Sequence, residues 1–311
     1  MTSASFAAAN SRFATRAALA SVALALVLVV AKGWAAYATD STAMLGSLAD
    51  TALDLLASLT TLAGVRMAAV PADRDHRFGH GKAEALVALA QVALISVSAV
   101  AIGWRAADRL INGGATQAME FGISVSLFAI AATLALLWYQ RRVIARTGSI
   151  AIRTDNMHYK SDLMLNGAVI AALLLDQWLN VAGADAAFGI LIALWLAWGA
   201  YRASSESVHQ LMDREWPDDE RAAFLAATAD FPELSGLHDL RTRKSGTLRF
   251  VQFHVWVPGD WTVRQAHDRL DRAEEALQAR FPGTEILIHV DPEGQTDRET
   301  LLSPELTERA T

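Results

Sequence analysis

Residues 47–59 read SLADTALDLLASL, a strongly apolar run that contains two aspartates. Asp50 and Asp54 are four residues apart, so on an α-helix their carboxylates project from the same face. An ionised aspartate inside a bilayer costs several kcal/mol, so such residues face the protein interior and usually mark an ion or substrate pathway. The run therefore predicts a membrane helix that carries a polar site.

A second stretch supplies a matching pair of polar side chains. Residues 157–169 read MHYKSDLMLNGAV, which places His158 and Asp162 on one helix face by the same spacing. Two helices that each offer two such ligands can complete the four-coordinate shell that Zn²⁺ prefers. The alternative is that all four are buried structural polar groups that bind no ion. The matched spacing of the two pairs favours a metal site.

The hydropathy of the chain predicts an integral membrane protein. Its 311 residues are 53% hydrophobic and its mean hydropathy is +0.24, which is too apolar for a typical soluble fold. Residues 17–31 follow two arginines and also fit the core of a signal peptide, but further apolar spans follow them. Stretches long enough for a bilayer helix of about 20 residues occur six times, at residues 16–37, 43–67, 83–111, 117–139, 157–179 and 186–209.

The basic residues predict the orientation of these spans. Cytoplasmic loops of membrane proteins carry an excess of Lys and Arg. Six crossings put both chain ends on one side, and the opposite side holds Arg105 and Arg109, with Lys32 as a further candidate. The termini are therefore expected in the cytoplasm, on the side that holds Arg12, Arg16, Arg66, Arg74, Arg77, Lys82, Arg141, Arg142, Arg146, Arg153 and Arg202.

The composition excludes several classes of site and partner. The chain has no cysteine, which rules out disulfides, thiol catalysis and cysteine-type zinc sites. Any metal must be held by His and carboxylate groups, which do not suit Cu(I). Residues 214–311 contain 12 Lys and Arg against 19 Asp and Glu. A soluble part this acidic argues against a nucleic-acid partner, because phosphate binding needs a basic face.

The pattern changes after residue 217 to that of a small soluble domain. The acidic run at 218–220 is typical of the first turn of a helix. Strands are predicted at 237–244, 248–257 and 285–290, with an amphipathic helix at 263–280 before the third strand. This α-β-β-α-β order indicates an α+β domain of ferredoxin-like type. The chain then divides into an N-terminal cytoplasmic segment (1–15), a six-helix transmembrane domain (16–212), a cytoplasmic metal-binding domain (213–296) and a disordered tail (297–311).

Seven of the eight histidines fall into three groups of potential metal ligands. The first group contains His158 and lies on the two membrane stretches described above. The second is the loop PADRDHRFGHGKAE at 71–84, whose glycines allow a tight turn around an ion. Scattered surface histidines in a solvated loop and domain are the structural alternative, and His209 is expected to be structural. The loop group is Asp73, His76 and His80, and the soluble-domain group is His238, His254, His267, His289 and Asp291.

Five motifs resemble those of the cation diffusion facilitator family. They are SLADTALDLLASLT (47–60), PADRDHRFGHGKAEALVALAQ (71–91), HYKSD (158–162), HDLRTRKSG (238–246) and FPGTEILIHVDP (281–292). The resemblance extends over residues 12–292 without a large gap. It implies a homodimer of six-helix subunits in a bacterial cytoplasmic membrane, with a cytoplasmic metal-binding domain. It also implies a secondary transporter, not an enzyme, that exports a divalent cation in exchange for H⁺.

The resemblance also assigns roles to particular residues. The transport site corresponds to Asp50, Asp54, His158 and Asp162, and the loop site to the group named above. The cytoplasmic binuclear site corresponds to the soluble-domain group, with Asp291 able to bridge two ions. A lysine of the GHGKAE motif pairs in the family with an aspartate before the soluble domain, here Lys82 and Asp213, which form a candidate hinge and dimer contact. Zn²⁺ is the expected transported and regulatory ion, and Cd²⁺, Fe²⁺, Co²⁺ and Mn²⁺ fit the ligand types as well.

The sequence leaves three other functions as alternatives. A membrane metalloenzyme needs an open coordination position, but four protein ligands leave none, and the chain contains no HExxH motif. A metal sensor anchored by its membrane part leaves the intramembrane aspartates unexplained. A channel differs from a transporter in whether flux saturates and depends on protons. Asp155, just before the fifth span, is outside the ligand set and is a candidate for the cytoplasmic entrance.

Overall fold

The computed structural model describes residues 3–39, 42–112, 123–179 and 184–295. Within these residues, four helices contain a segment long and apolar enough to cross a membrane, at Ala8–Ala38, Ser47–Ala68, Ala83–Asn112 and Ala186–Leu211. The chain therefore has a helical membrane domain. Its long helices are α1 (Ser3–Thr39), α2 (Thr42–Ala68), α3 (Ala83–Asn112), α4 (Ile123–Thr147), α5 (Ile150–Leu179) and α6 (Ala184–Leu211).

The predicted fourth and fifth spans fall on α4 and α5. Residues 117–122 of the fourth span lie outside the described residues, as does the predicted tail at 297–311. The first half of the 30-residue α5 carries Arg153, Asp155, His158, Lys160 and Asp162, which lower its hydropathy. Whether α4 and α5 cross the bilayer therefore stays a prediction. Before residue 16, the described residues of the predicted N-terminal segment belong to α1, which begins at Ser3.

α5 occupies a central place among the long helices of the described chain. It contacts each of the other five, while α3 packs along α6 and α1 along α2. Close approach of α2 to α3 depends on Gly64, because a Cβ atom there would lie 2.3 Å from Cγ2 of Val87. Side chains on the first half of α5 are therefore brought next to polar groups from several neighbouring helices.

The C-terminal domain consists of α7 (Asp218–Thr228), β1 (His238–Ser245), β2 (Leu248–Val257), α8 (Val263–Arg280) and β3 (Thr284–Pro292). The three strands form one sheet in the order β1-β2-β3, with β1 antiparallel and β3 parallel to β2. Alternation along β2 buries Phe253 and Val255, and the apolar face of α8 buries Leu270 and Leu277 against them. Thr262 begins α8 with a capping box formed with Gln265.

The start of α3 joins the membrane helices to the C-terminal domain. Lys82 Nζ donates to Asp213 Oδ2 at 3.0 Å and to the carbonyl oxygen of Leu211, at the end of α6, at 3.1 Å. A Cβ atom at Gly81 would lie 2.2 Å from the carbonyl oxygen of Ser245 in the β1–β2 turn. The predicted Lys82–Asp213 pair is therefore in contact, at a point where backbone from both domains meets.

A second contact at this junction involves aromatic rings and a shared cation. Phe78 of the 71–82 loop packs edge-on against Phe250 of β2, with ring centroids 5.8 Å apart. The guanidinium carbon of Arg243 lies 4.4 Å from each ring centroid, and Nη1 of Arg243 lies 3.5 Å from Asp213 Oδ1. Cation–π contacts of this kind stabilise a junction when they are partly shielded from water. The loop therefore packs against the C-terminal domain.

Candidate metal sites

Two helices bring together three of the predicted membrane-site residues. Asp54 lies on α2, and His158 and Asp162 lie one turn apart on α5. His158 Nε2 lies 3.0 Å from Asp54 Oδ1 and 3.9 Å from Asp162 Oδ2. The ligand atoms of all three residues lie within 4.8 Å of one another. Ligands of a tetrahedral Zn²⁺ lie about 3.3 Å apart, so these groups can converge on one cation with small side-chain movements.

The burial of this cluster, which we call the membrane site, suits an ion that enters and leaves. The His158 side chain is 13% exposed, that of Asp54 23% and that of Asp162 33%. The groups are thus enclosed by helices without being sealed from solvent. Carboxylate oxygens and an imidazole nitrogen are ligands that Zn²⁺ accepts, and each must be deprotonated to bind.

Asp50 lies one turn before Asp54 on α2 and is exposed. It is not among the three residues whose ligand atoms lie within 4.8 Å of one another. Four residues along a helix correspond to a rise of about 6 Å, so Asp50 must reach along the axis to bind the same ion. Its place in the ligand set stays a prediction.

Asp155, a candidate for the cytoplasmic entrance on its sequence position, lies in a buried polar network in the structure. Asp155 is fully buried on α5. Its Oδ2 accepts from Ser21 Oγ of α1 and from Gln140 Nε2 of α4, each at 2.7 Å. Its Oδ1 accepts from Thr61 Oγ1 of α2 and Gln91 Nε2 of α3, each at 3.4 Å. One carboxylate thus links four helices to α5, the helix that carries His158. The sequence signal for this network is the presence of polar residues within four otherwise apolar runs.

The loop group also lies together. Asp73 Oδ1 is 3.5 Å from His76 Nδ1, and Asp73 Oδ2 is 3.5 Å from His80 Nε2. The ligand atoms of the three residues lie within 4.8 Å of one another. The backbone N–H of His76 donates to Asp73 Oδ1 at 2.7 Å and holds the pKa of Asp73 below its usual value. Gly79, at φ +76°, allows the chain to turn back between the two histidines.

The register of the C-terminal sheet aligns three histidines in one row. His238 of β1 is the partner of His254 of β2, and His254 is the partner of His289 of β3. Asp291 lies two residues beyond His289 and therefore on the same face. Asp291 Oδ2 is 3.2 Å from His238 Nε2 and 3.0 Å from His254 Nδ1, and Asp291 Oδ1 is 3.5 Å from His289 Nε2. Asp291 is thus shared by all three histidines.

The donor set of this cluster, which we call the sheet site, fits a divalent metal. His238 Nδ1 donates to the carbonyl oxygen of Gly236 at 2.8 Å, which directs the lone pair of Nε2 toward Asp291. That Nε2 atom is buried and has no hydrogen-bond partner. The ligand atoms of His238, His254 and Asp291 lie within 4.8 Å of one another. Two imidazoles and a nearly buried carboxylate are a suitable set for Zn²⁺.

Two further residues bear on the composition of the sheet site. His267 is exposed on α8 and lies outside the group of close ligand atoms. Asp239, which was not predicted, has its Oδ2 3.8 Å from His254 Nε2. The membership of His267 stays a prediction, and Asp239 is an additional acidic neighbour.

Comparison with known families and proteins accounts for both domains. The family profile described as "Cation efflux transmembrane domain" matches residues 18–212, and the one described as "Cation efflux protein, cytoplasmic domain" matches residues 216–293. The chain is 42% identical over 281 residues to the cation-efflux pump FieF of Cronobacter sakazakii, covering 90% of this chain and 93% of that protein. It is 43% identical, with the same coverage, to the FieF protein of Serratia proteamaculans.

Two solved structures of short chains also match. The zinc form of a putative zinc transporter, CzrB, is 38% identical and covers 28% of this chain and 99% of its own, with a TM-score of 0.26. The metal-bound C-terminal domain of the CzcD transporter from Thermotoga maritima is 28% identical and covers 25% and 93%, with a TM-score of 0.24. The matches along both domains, together with the identity to full-length efflux pumps, mean that this chain is a membrane transporter of the cation efflux family, the cation diffusion facilitators.

Proposed function

We propose that the chain exports Zn²⁺ from the bacterial cytoplasm by exchange for protons, with Asp54, His158, Asp162 and Asp50 as the transport ligands. The observation that supports this most directly is the convergence of ligand atoms from α2 and α5 within 4.8 Å. Ionisable groups at this depth in apolar helices are costly unless they serve an ion pathway. Cd²⁺ and Fe²⁺ are further substrates, since they accept the same oxygen and nitrogen ligands.

Proton exchange follows from the chemistry of these ligands. Carboxylate and imidazole groups bind metal only when they are deprotonated, so metal and protons compete for the same atoms. In this proposal a cation enters from the cytoplasm and displaces protons, and protons entering from the other side drive its release. Six crossings with both termini in the cytoplasm, and rocking of helices around the site, complete the alternating-access scheme.

In the proposed assembly two subunits form a dimer, and the ferredoxin-like C-terminal domain regulates transport. The family profile that matches residues 216–293 is itself named for a dimer. His238, His254, His289, His267 and Asp291 would hold regulatory Zn²⁺, which would cross-link adjacent strands and tighten the domain. Asp73, His76 and His80 would hold a further ion beside the junction. Lys82 and Asp213 would serve as the hinge between the membrane helices and this domain.

The test of the proposal is Zn²⁺ flux into reconstituted vesicles under an imposed pH gradient. Asp54→Ala removes one ligand of the membrane site, and we expect it to abolish saturable, proton-dependent flux. Asp108→Ala is the matched control, because Asp108 is an exposed aspartate at the far end of α3. Full flux through the Asp54→Ala protein would eliminate the proposed transport site. Flux that neither saturates nor responds to the pH gradient would indicate a channel instead.

A further inference from the structure

A lysine lies within the first membrane helix. Lys32 belongs to α1 and falls inside the candidate span Ala8–Ala38. Charged amines are rare within membrane helices, and they almost always face the protein interior, an ion pathway or a water-filled cavity. Lys32 is therefore expected to have a polar partner or a functional role.

The Lys32 amine is directed toward α2. Its Nζ donates to Thr51 Oγ1 at 2.6 Å. Thr51 is only 1% exposed, and its own hydroxyl proton is donated to the carbonyl oxygen of Ser47 at 3.0 Å. The threonine oxygen is thus oriented to accept the lysine. A lysine in a membrane helix can also extend its side chain to the lipid headgroups, but a contact with a buried hydroxyl places the charge inside the protein instead.

Thr51 lies one residue after Asp50 and three residues before Asp54 on α2, so its contact with Lys32 holds the ammonium group within about one helical turn of the positions that carry both aspartates. An ammonium group has three donors and no lone pair, so it cannot be a metal ligand. Its effect on a cation in the site is electrostatic repulsion.

We infer that Lys32 is a tethered cation of the membrane site, which offsets its negative charge when no metal is bound and repels the metal when one is. This inference rests on the proposed transport function. Without a positive charge, two or three carboxylates in a low-dielectric region would bind a divalent cation tightly and release it slowly. Through this repulsion Lys32 lowers the affinity of the membrane site for the cation enough to permit its rapid release.

The test is Lys32→Met in the full-length protein, which removes the charge and keeps a long unbranched side chain. Zn²⁺ binding is measured in detergent, and the uptake that is absent from the Asp54→Ala protein is assigned to the membrane site. We expect this uptake to become about tenfold tighter, the order of effect of removing a nearby like charge from a partly solvated site. In vesicles, KM should fall and maximal Zn²⁺ flux should also fall, because release becomes slow. Lys32→Arg should keep the affinity near that of the unmodified protein.

Thr51→Val separates the charge from the contact between α1 and α2. It keeps the lysine charge on α1 and removes only the oxygen that holds it, so any gain in membrane-site affinity should be clearly smaller than in Lys32→Met. Unchanged affinity in Lys32→Met, or weaker binding together with lower flux, would overturn the inference. Equal tightening in Thr51→Val would overturn it too, since the lost hydrogen bond would then be the cause. Absence of Asp54-dependent uptake in the unmodified protein would instead overturn the proposed transport function itself.

Discussion

Asp155 shows how one buried carboxylate can be held in an apolar helix domain. Its two oxygens accept from four donors, and each donor comes from a different helix. Gln140 Nε2 also donates to Ser21 Oγ at 2.9 Å, which closes a ring of hydrogen bonds. A buried carboxylate that accepts from four helices stabilises their arrangement, because the hydrogen bonds of the network strengthen one another in a low-dielectric interior.

Asp155→Asn tests this network without changing the size of the side chain. The amide group replaces one acceptor oxygen with a donor, so at least one buried donor loses its hydrogen bond to residue 155 and faces an amide N–H instead. We expect the free energy of unfolding to fall by about 1–3 kcal/mol, detected as a lower thermal midpoint in detergent. Asp108→Asn, at an exposed position, should leave the midpoint unchanged. Equal midpoints for the two variants would mean that the network contributes nothing to stability.

The residues that the sequence placed correctly are those that share one helix or one strand. Periodicity puts His158 and Asp162 on one face of α5, and they lie 3.9 Å apart. The same argument puts Asp50 beside Asp54, but it cannot say which of them faces α5, because that depends on how α2 rotates against its neighbours. Asp155 was missed for the same reason, since its donors are brought to it by packing among five helices.

At the scale of helices, close packing of α2 against α3 depends on a missing side chain. Gly64 allows the backbone of α2 to approach Val87, whose branched Cβ has little freedom to move. Small residues are typical of such close helix contacts in membranes. The contact keeps α2, which carries Asp54, packed closely against α3.

Gly64→Ala should therefore destabilise the protein although alanine favours a helix. The added Cβ would lie 2.3 Å from Cγ2 of Val87 and 2.7 Å from its Cβ, and relieving this overlap costs about 1–3 kcal/mol. Thermal unfolding in detergent measures the effect. Gly167→Ala is the control, because no atom lies within 4 Å of a Cβ added there. Adding Val87→Ala removes the nearest atom, Cγ2, and should recover part of the lost stability, whereas no recovery at all would show that the overlap is not the cause.

The boundaries of the elements were predicted best where polar signals mark them. The amphipathic pattern at 263–280 coincides with α8, whose first residue follows the N-cap residue Thr262. α1 begins at Ser3, before the apolar span predicted at 16–37, because hydropathy marks where a helix becomes apolar and not where it begins. The predicted membrane crossing of α5 at 157–179 stays a prediction, since the same residues that form its candidate metal site lower its hydropathy.

At the scale of the molecule, the C-terminal domain is joined to the membrane helices at the start of α3. Lys82 contacts Asp213, and Arg243 contacts both Asp213 and the ring of Phe78. Glu84, two residues beyond Lys82, accepts from Ser149 Oγ at 2.7 Å just before α5 begins. The helix that carries His158 is therefore linked through α3 to the domain that carries the sheet site.

His254→Ala tests whether the sheet site regulates the molecule. His254 is the central member of the row and contacts Asp291 directly. We expect Zn²⁺ affinity at the sheet site to fall by more than about tenfold, since even the outer partners of metal ligands contribute that much. Zn²⁺-dependent dimerisation of the full-length protein and transport at low Zn²⁺ should both weaken. His209→Ala, at an exposed histidine on α6, is the control.

Unchanged dimerisation and unchanged transport at low Zn²⁺ in His254→Ala would rule out the regulatory role of the sheet site. The sequence indicated the histidines of this site but could not show their register. The row of three depends on how β1 and β3 align with β2. Asp239 approaches His254 where the β1–β2 register shifts between His238 and Arg241, with Asp239 at φ +50°. Such an irregularity of the backbone leaves no periodic signal in the sequence.

The membrane site takes one carboxylate from α2 and two side chains from α5, so a cation bound there would be sensitive to the spacing of two helices. Metal–ligand distances in proteins are held to within about 0.2 Å, far less than the rise of about 1.5 Å per residue of a helix. A slight slide or tilt of α2 along α5 would therefore be enough to release the bound cation. The same narrow tolerance would let the site discriminate between ions by radius.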